Sequence, residues 1–185
     1  MSTPPNPRKP SRSQIGFLLG FHAVISGAFL VSYLTGDSDD AYFMHVFAGY
    51  AVLAALIVRL AVGMLAGPGS MLRLPRPDWP SIGRYFRRIA ALDRTAFLGR
   101  SPLHGAMALV LLVGAGIAAL SGAIADFLIR IEDLHEALGE AALYIVLGHI
   151  VLVLALHGLK RLAAPAPLGR RAQIPSTAEL SGAPK

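Results

Sequence analysis

The chain has 185 residues, 54% of them hydrophobic and 15% charged, with a mean hydropathy of +0.56. A water-soluble domain of this size carries about one quarter charged residues, so an ordinary cytosolic enzyme, a secreted scaffold and a disordered tail are all excluded. Cysteine is absent, which removes disulfides, thiolate catalysis and iron–sulfur clusters, and the net charge of +6 sits between apolar runs, where membrane topology accounts for it better than nucleic acid does.

In chain order, residues 1–13 are rich in Pro and Ser and are expected to form an N-terminal tail. Four apolar runs follow, at about 15–35, 41–66, 103–125 and 137–159. Each is long enough for an α-helix to cross a bilayer, which takes about 20 residues. Gly16-xxx-Gly20 and Gly63-xxx-Gly67 match the close-packing pattern of membrane helices and offer seams for a homodimer. Between the second and third runs, Trp79 and Tyr85 mark a short amphipathic helix over 82–92, expected to lie on the headgroups with these two rings as interface anchors. Residues 162–185 read as a second tail. The predicted fold is an all-α membrane protein, a four-transmembrane-helix bundle over residues 14–161.

Charge predicts its orientation. Arg8, Lys9 and Arg12 precede the first run, while Asp37, Asp39 and Asp40 follow it. The second loop carries Arg73, Arg76, Arg84, Arg87, Arg88, Arg94 and Arg100. The third loop has Asp126, Glu132, Asp133 and Glu136 against Arg130, and the end of the chain returns to Lys160, Arg161, Arg170 and Arg171. This alternation is the positive-inside pattern, with both termini and the Arg-rich loop cytoplasmic.

All six histidines lie within the runs or at their edges: His22, His45, His104, His135, His149 and His157. An imidazole in hydrocarbon needs a partner, so each is a candidate functional group. With about 1.5 Å of rise per residue, His45 and His135 fall at one level near the acidic-loop surface, and His22 and His149 at a second, deeper level. His135 and His149 are 14 positions apart, which is four turns less about 40°, so they leave one helix face. Two rings meeting across a bundle suit the axial positions of a haem iron, and two such ligands favour electron transfer over chemistry at the metal. Gly49 and Gly139 follow His45 and His135 by four residues and leave room for a macrocycle. Arg59, 14 positions after His45, is a candidate partner for a haem propionate or for the headgroups. His104 and His157, near the opposite surface, are candidates for guiding a quinone.

The chain resembles the bacterial cytochrome b561 and nickel–iron hydrogenase b-type subunit family. The resemblance rests on His45-Val46-Phe47-Ala48-Gly49-Tyr50, Arg59 and Gly63, on Gly99-Arg100-Ser101-Pro102, on His135-Glu136 and on His149, and covers about residues 15–161. It implies two b haems, one on His45 with His135 and one on His22 with His149. It also implies exchange with quinone at one surface, a redox protein such as a cytochrome c or a dehydrogenase subunit as partner, and a place in the bacterial inner membrane. The first span departs from many members, with Gly20-Phe21-His22-Ala23 where they carry Arg before the histidine and Trp after it. The competing readings are a superoxide:quinone oxidoreductase on the same scaffold, a His-lined metal-ion carrier, and a haem-free protein whose histidines only pack.

Overall fold

The computed structural model describes residues 11–93, 96, 101–128 and 131–163. Most of the two tails, Arg94, Arg100, Arg130 and the Gly99-Arg100 part of the motif above lie outside them. Five helices occur among the described residues: α1 (Arg12–Leu34), α2 (Tyr42–Leu65), α3 (Trp79–Ala90), α4 (Leu103–Ala125) and α5 (Glu132–Ala163). A 3-10 turn, Asp39–Ala41, leads into α2, and no strand is present among these residues.

α1, α4, α5 and the segment Asp39–Leu65 are long and apolar enough to cross a membrane, with hydropathies of 1.9, 2.3, 2.2 and 2.1. They make this a multi-pass membrane protein. Their exposed surface agrees: Phe43 is 88% exposed and Phe47 79%, a placement that suits lipid and not water.

Helix bounds follow the backbone's hydrogen-bonding needs more closely than the edges of the apolar runs. α1 starts at Arg12 because Ser11 accepts from the Gln14 N–H while the Gln14 side chain accepts from the Ser11 N–H, a capping box that satisfies two orphan donors. Residues 12–13 are therefore helical and not part of a tail. α5 runs through Lys160 and Arg161 to Ala163, where cations complement the helix dipole, so residues 162–163 are helical too. At 32 residues, α5 is about 48 Å long and exceeds the hydrocarbon thickness of about 30 Å.

The close backbone approaches run from α1 to α2, α2 to α4 and α4 to α5. α2 is the central helix. Its buried residues Ala48, Val52, Leu56, Arg59 and Gly63 form one stripe at helical spacing. Ala118 and Ser121 of α4 and Ala142 of α5 complete the buried set in the spans. These small residues let the helix backbones approach. α5 meets α1 and α2 through histidine rings and not through close backbone packing.

The loop after α2 folds back onto the bundle. The Arg59 guanidinium donates to the Leu72 carbonyl at 2.7 Å, and the Gln14 amide donates to the Ser70 hydroxyl at 3.2 Å. Leu74 lies so close to Gly63 that a Cβ there would stand 2.7 Å from its Cδ2. Gly63 thus serves its own loop, and Gly63-xxx-Gly67 is not a free seam for a second copy. Gly16 and Gly20 meet nothing within 4 Å.

α3 begins three residues earlier than the sequence predicts. Asp78 caps it by accepting from both the backbone N–H and the hydroxyl of Ser81, and Pro80 fits the first turn, where no backbone donor is needed. Those two donors hold the Asp78 carboxyl below its ordinary value. Ile82, Tyr85 and Ile89 form the less exposed stripe, and Arg84, Arg87 and Arg88 point out. Tyr85 is only 6% exposed, so it packs inward and is not an interface anchor. Trp79, 69% exposed, remains available for that role.

Candidate functional site: two histidine pairs

α5 carries both levels of the site. Four turns separate His135 from His149, roughly 21 Å along the axis. At the acidic-loop end the His135 ring meets His45 of α2, with centres 5.9 Å apart and planes at 66°. Deeper in the bundle the His149 ring meets His22 of α1, at 6.5 Å and 73°. The rings that share a depth therefore share a contact. The histidines meet two at a time, and no group of three or more potential metal-ligating side chains (His, Cys, Asp or Glu) occurs among the described residues.

The pair at the acidic end is held by its neighbours. His45 Nδ1 lies 2.8 Å from the Ser32 carbonyl oxygen. A carbonyl only accepts, so Nδ1 carries the proton and donates. The Ser32 hydroxyl in turn donates to the His45 carbonyl at 3.4 Å. His135 Nδ1 lies 3.1 Å from the Ser121 hydroxyl oxygen. That hydroxyl already donates its single hydrogen to the Ala118 carbonyl at 2.8 Å, so His135 Nδ1–H donates to it. Both rings are thus set in the tautomer that leaves the Nε2 lone pair uncommitted, the arrangement that metal-ligating histidines adopt.

Glycines decide where these rings fit. A Cβ at Gly122 would stand 2.8 Å from Cε1 and 3.1 Å from Nε2 of His135. One at Gly36 would stand 3.6 Å from His45 Nδ1. Gly49 faces the Ser32 hydroxyl at 3.7 Å, and Gly139 has nothing within 4 Å. The sequence singled out Gly49 and Gly139 but missed Gly122, Gly36, Ser32 and Ser121. Depth offered a signal for the serines, since both interrupt apolar runs at the level of His45 and His135. Tyr50 closes this end by donating to the Asp126 carboxylate at 2.7 Å, and Asp126 lies within electrostatic reach of His135.

The deeper pair is held differently. His149 Nδ1 is buried without a hydrogen-bond partner, and His22 is exposed. Arg59 is 7% exposed, and its guanidinium is engaged with the Leu72 carbonyl rather than with either histidine pair. Its position is nonetheless at this level. α2 and α5 run in the same direction, and Arg59 follows His45 by the same 14 positions that separate His149 from His135. His104 lies within electrostatic reach of His149, and its Nδ1 is 3.2 Å from the Ser101 carbonyl. His104 and His157 are both exposed at the basic end.

The geometry suits one metal between each pair. An imidazole nitrogen sits about 2 Å from a bound metal, and the ring centre about 1 Å further, so two rings on opposite sides of one iron have centres about 6 Å apart. The observed 5.9 Å and 6.5 Å bracket that value. At the acidic end, where both Nδ1 atoms are engaged, each Nε2 is the nitrogen left to bind such a metal. No protein-family model, no curated protein and no solved structure matches this chain.

Proposed function

We propose that the protein is a membrane di-haem b-type cytochrome that carries electrons across the bilayer between a redox partner at the acidic-loop surface and the quinone pool. The observation that carries this reading is the pair of two-ring histidine contacts, 5.9 Å and 6.5 Å, set four turns apart on one helix. His45 with His135, and His22 with His149, would hold the two haems. Haem supplies one-electron redox chemistry, and two histidine ligands leave no open position for substrate.

The remaining roles belong to the chain. Ser32 and Ser121 orient the ligands at the acidic end. The apolar spans provide a low-dielectric surround. His104 and His157 stand at the surface where a quinone would be guided, as neutral imidazoles that can donate or accept. A His-lined ion carrier is disfavoured, because the rings occur in separated pairs and not in a larger cluster. The resemblance to the cytochrome b561 family implies a bacterial inner membrane, and the positive-inside pattern favours the basic loop and both termini in the cytoplasm.

The deciding measurement is a reduced-minus-oxidised absorption spectrum of the purified chain with haem quantified per polypeptide. Two b haems per chain are expected, and a featureless spectrum refutes the reading. A C-terminal reporter active only in the periplasm should stay silent, and a bright one overturns the orientation.

A further inference from the structure

α3 carries more apolar surface than the bundle covers. Ile82, Tyr85 and Ile89 form its inward stripe. Trp79 and Phe86 are seven positions apart, so at about 100° per residue they leave the helix within about 20° of one another. They stand beside the inward stripe yet remain 69% and 55% exposed. Arg87 and Arg84 lie about 100° and 160° round from Phe86, on the side away from Tyr85. We propose that α3 is a binding surface for anionic phospholipid, with Trp79 and Phe86 among the acyl chains and Arg84 and Arg87 on the headgroup phosphates.

The loop before α3 holds the helix at the depth this requires. Arg59 and Gly63 belong to the last two turns of α2. The Leu72 carbonyl accepts from Arg59 at 2.7 Å, and Leu74 packs against Gly63. The chain therefore turns back to the level of the end of α2 before α3 starts, and does not carry α3 out into water. A helix held there, beside a membrane span, meets acyl chains on one flank and headgroups on the other. Acyl chains also remove the cost of two large rings facing water.

Charge selects the lipid. Residues 66–93 contain five arginines, Arg73, Arg76, Arg84, Arg87 and Arg88, and two carboxylates, Asp78 and Asp93. Both carboxylates are engaged, Asp78 with the Ser81 donors and Asp93 with Arg88 at 2.9 Å. Among the described residues no carboxylate lies within ion-pair distance of Arg84 or Arg87. Arg84 donates to the Ser81 hydroxyl at 2.7 Å, which steadies its guanidinium and leaves further N–H groups for a phosphate. Arginines at a membrane surface attract anionic lipid. An acidic soluble protein would reach these arginines from outside but not Trp79 and Phe86 on the other half of the helix, whereas one layer of anionic phospholipid serves both.

This surface stands apart from the histidine pairs, so its test is independent of the haem reading. The full-length protein is reconstituted in phosphatidylcholine nanodiscs that hold a small fraction of either phosphatidylglycerol or phosphatidylcholine bearing a photoactivatable diazirine in its acyl chain. After illumination, labelled residues are mapped by mass spectrometry. Residues 79–90 should be labelled about twofold or more by phosphatidylglycerol over phosphatidylcholine at low salt. The ratio should fall towards one at about 1 M salt, where the Debye length is about 3 Å. Replacing both arginines, Arg84→Gln with Arg87→Gln, should abolish the preference at low salt while labelling of α1 and α4 stays unchanged. Equal labelling of α3 by the two lipids at low salt, or a preference that survives in the double variant, overturns the proposal. Labelling of the spans without α3 also overturns it, and assigns the surface to a protein partner.

Discussion

Gly122 of α4 lies directly against the His135 ring of α5, with a built Cβ only 2.8 Å from the ring's Cε1. The ring cannot simply turn away, because its Nδ1–H donates to Ser121 on the preceding residue of the same helix. Adding a side chain here is overpacking against an anchored group, at a cost of about 1–3 kcal/mol. Gly122→Val should displace His135, deplete the acidic-end haem and leave the other. Haem stoichiometry and the split of the reduced spectrum measure it. Gly139→Ala, which meets no protein atom within 4 Å, tests whether a macrocycle lies beside that residue, and on this reading it perturbs the same haem.

The pairing itself makes a sharper prediction. His45→Ala and His135→Ala should produce the same residual spectrum, and His22→Ala and His149→Ala the complementary one. A double variant within a pair should be scarcely worse than either single, whereas one across pairs should lose both haems. Groups that act as a unit fail as a unit. Two haems retained in all four single variants would refute the ligand assignment.

Arg59 predicts a stability effect at the opposite end. Its bond to the Leu72 carbonyl is charge-assisted, and such bonds contribute about 1.5–3 kcal/mol. Arg59→Leu should release the loop after α2, read as faster protease cleavage between residues 66 and 78 in detergent. Gly63→Ala should have a smaller effect of the same kind, because its Cβ meets Leu74 at 2.7 Å.

Asp78 predicts a pH dependence confined to α3. Its carboxyl is held below the ordinary value by donation from Ser81. The native cap therefore binds protons less readily than the unfolded chain. Its stabilisation is complete above the unfolded value, about 4, and is lost as pH falls through the depressed folded value. The protection of α3 amides, taken relative to the intrinsic exchange rate at each pH, should fall on acidification. In Asp78→Asn, which still caps, this dependence should disappear.

Leu92, which follows α3, adopts φ 55. That left-handed geometry costs a side-chain-bearing residue about 1–2 kcal/mol, and glycine is the residue helices favour there. Leu92 is 87% exposed, so little packing is lost. Leu92→Gly should raise the thermal stability of α3 or leave it level, and a marked fall would show that the Leu92 side chain is engaged.

Four long apolar helices and the matching of His45 with His135 and of His22 with His149 were legible in the amino-acid sequence. Each depends on one-dimensional quantities: hydropathy along the chain, a rise of about 1.5 Å per residue and a turn of about 100°. The shared face of His135 and His149 follows from a single helix and needs no neighbour. What tertiary structure decided is the rotation of each helix against the next and the path of the loops. Those set Ser32 and Ser121 behind the imidazoles, place Gly122 rather than Gly139 against the His135 ring, turn Tyr85 inward and bind Arg59 to Leu72. None of these has a local period in sequence. They arise because buried donors must find acceptors and backbones can close only where side chains are small, conditions that a helix meets through its partners.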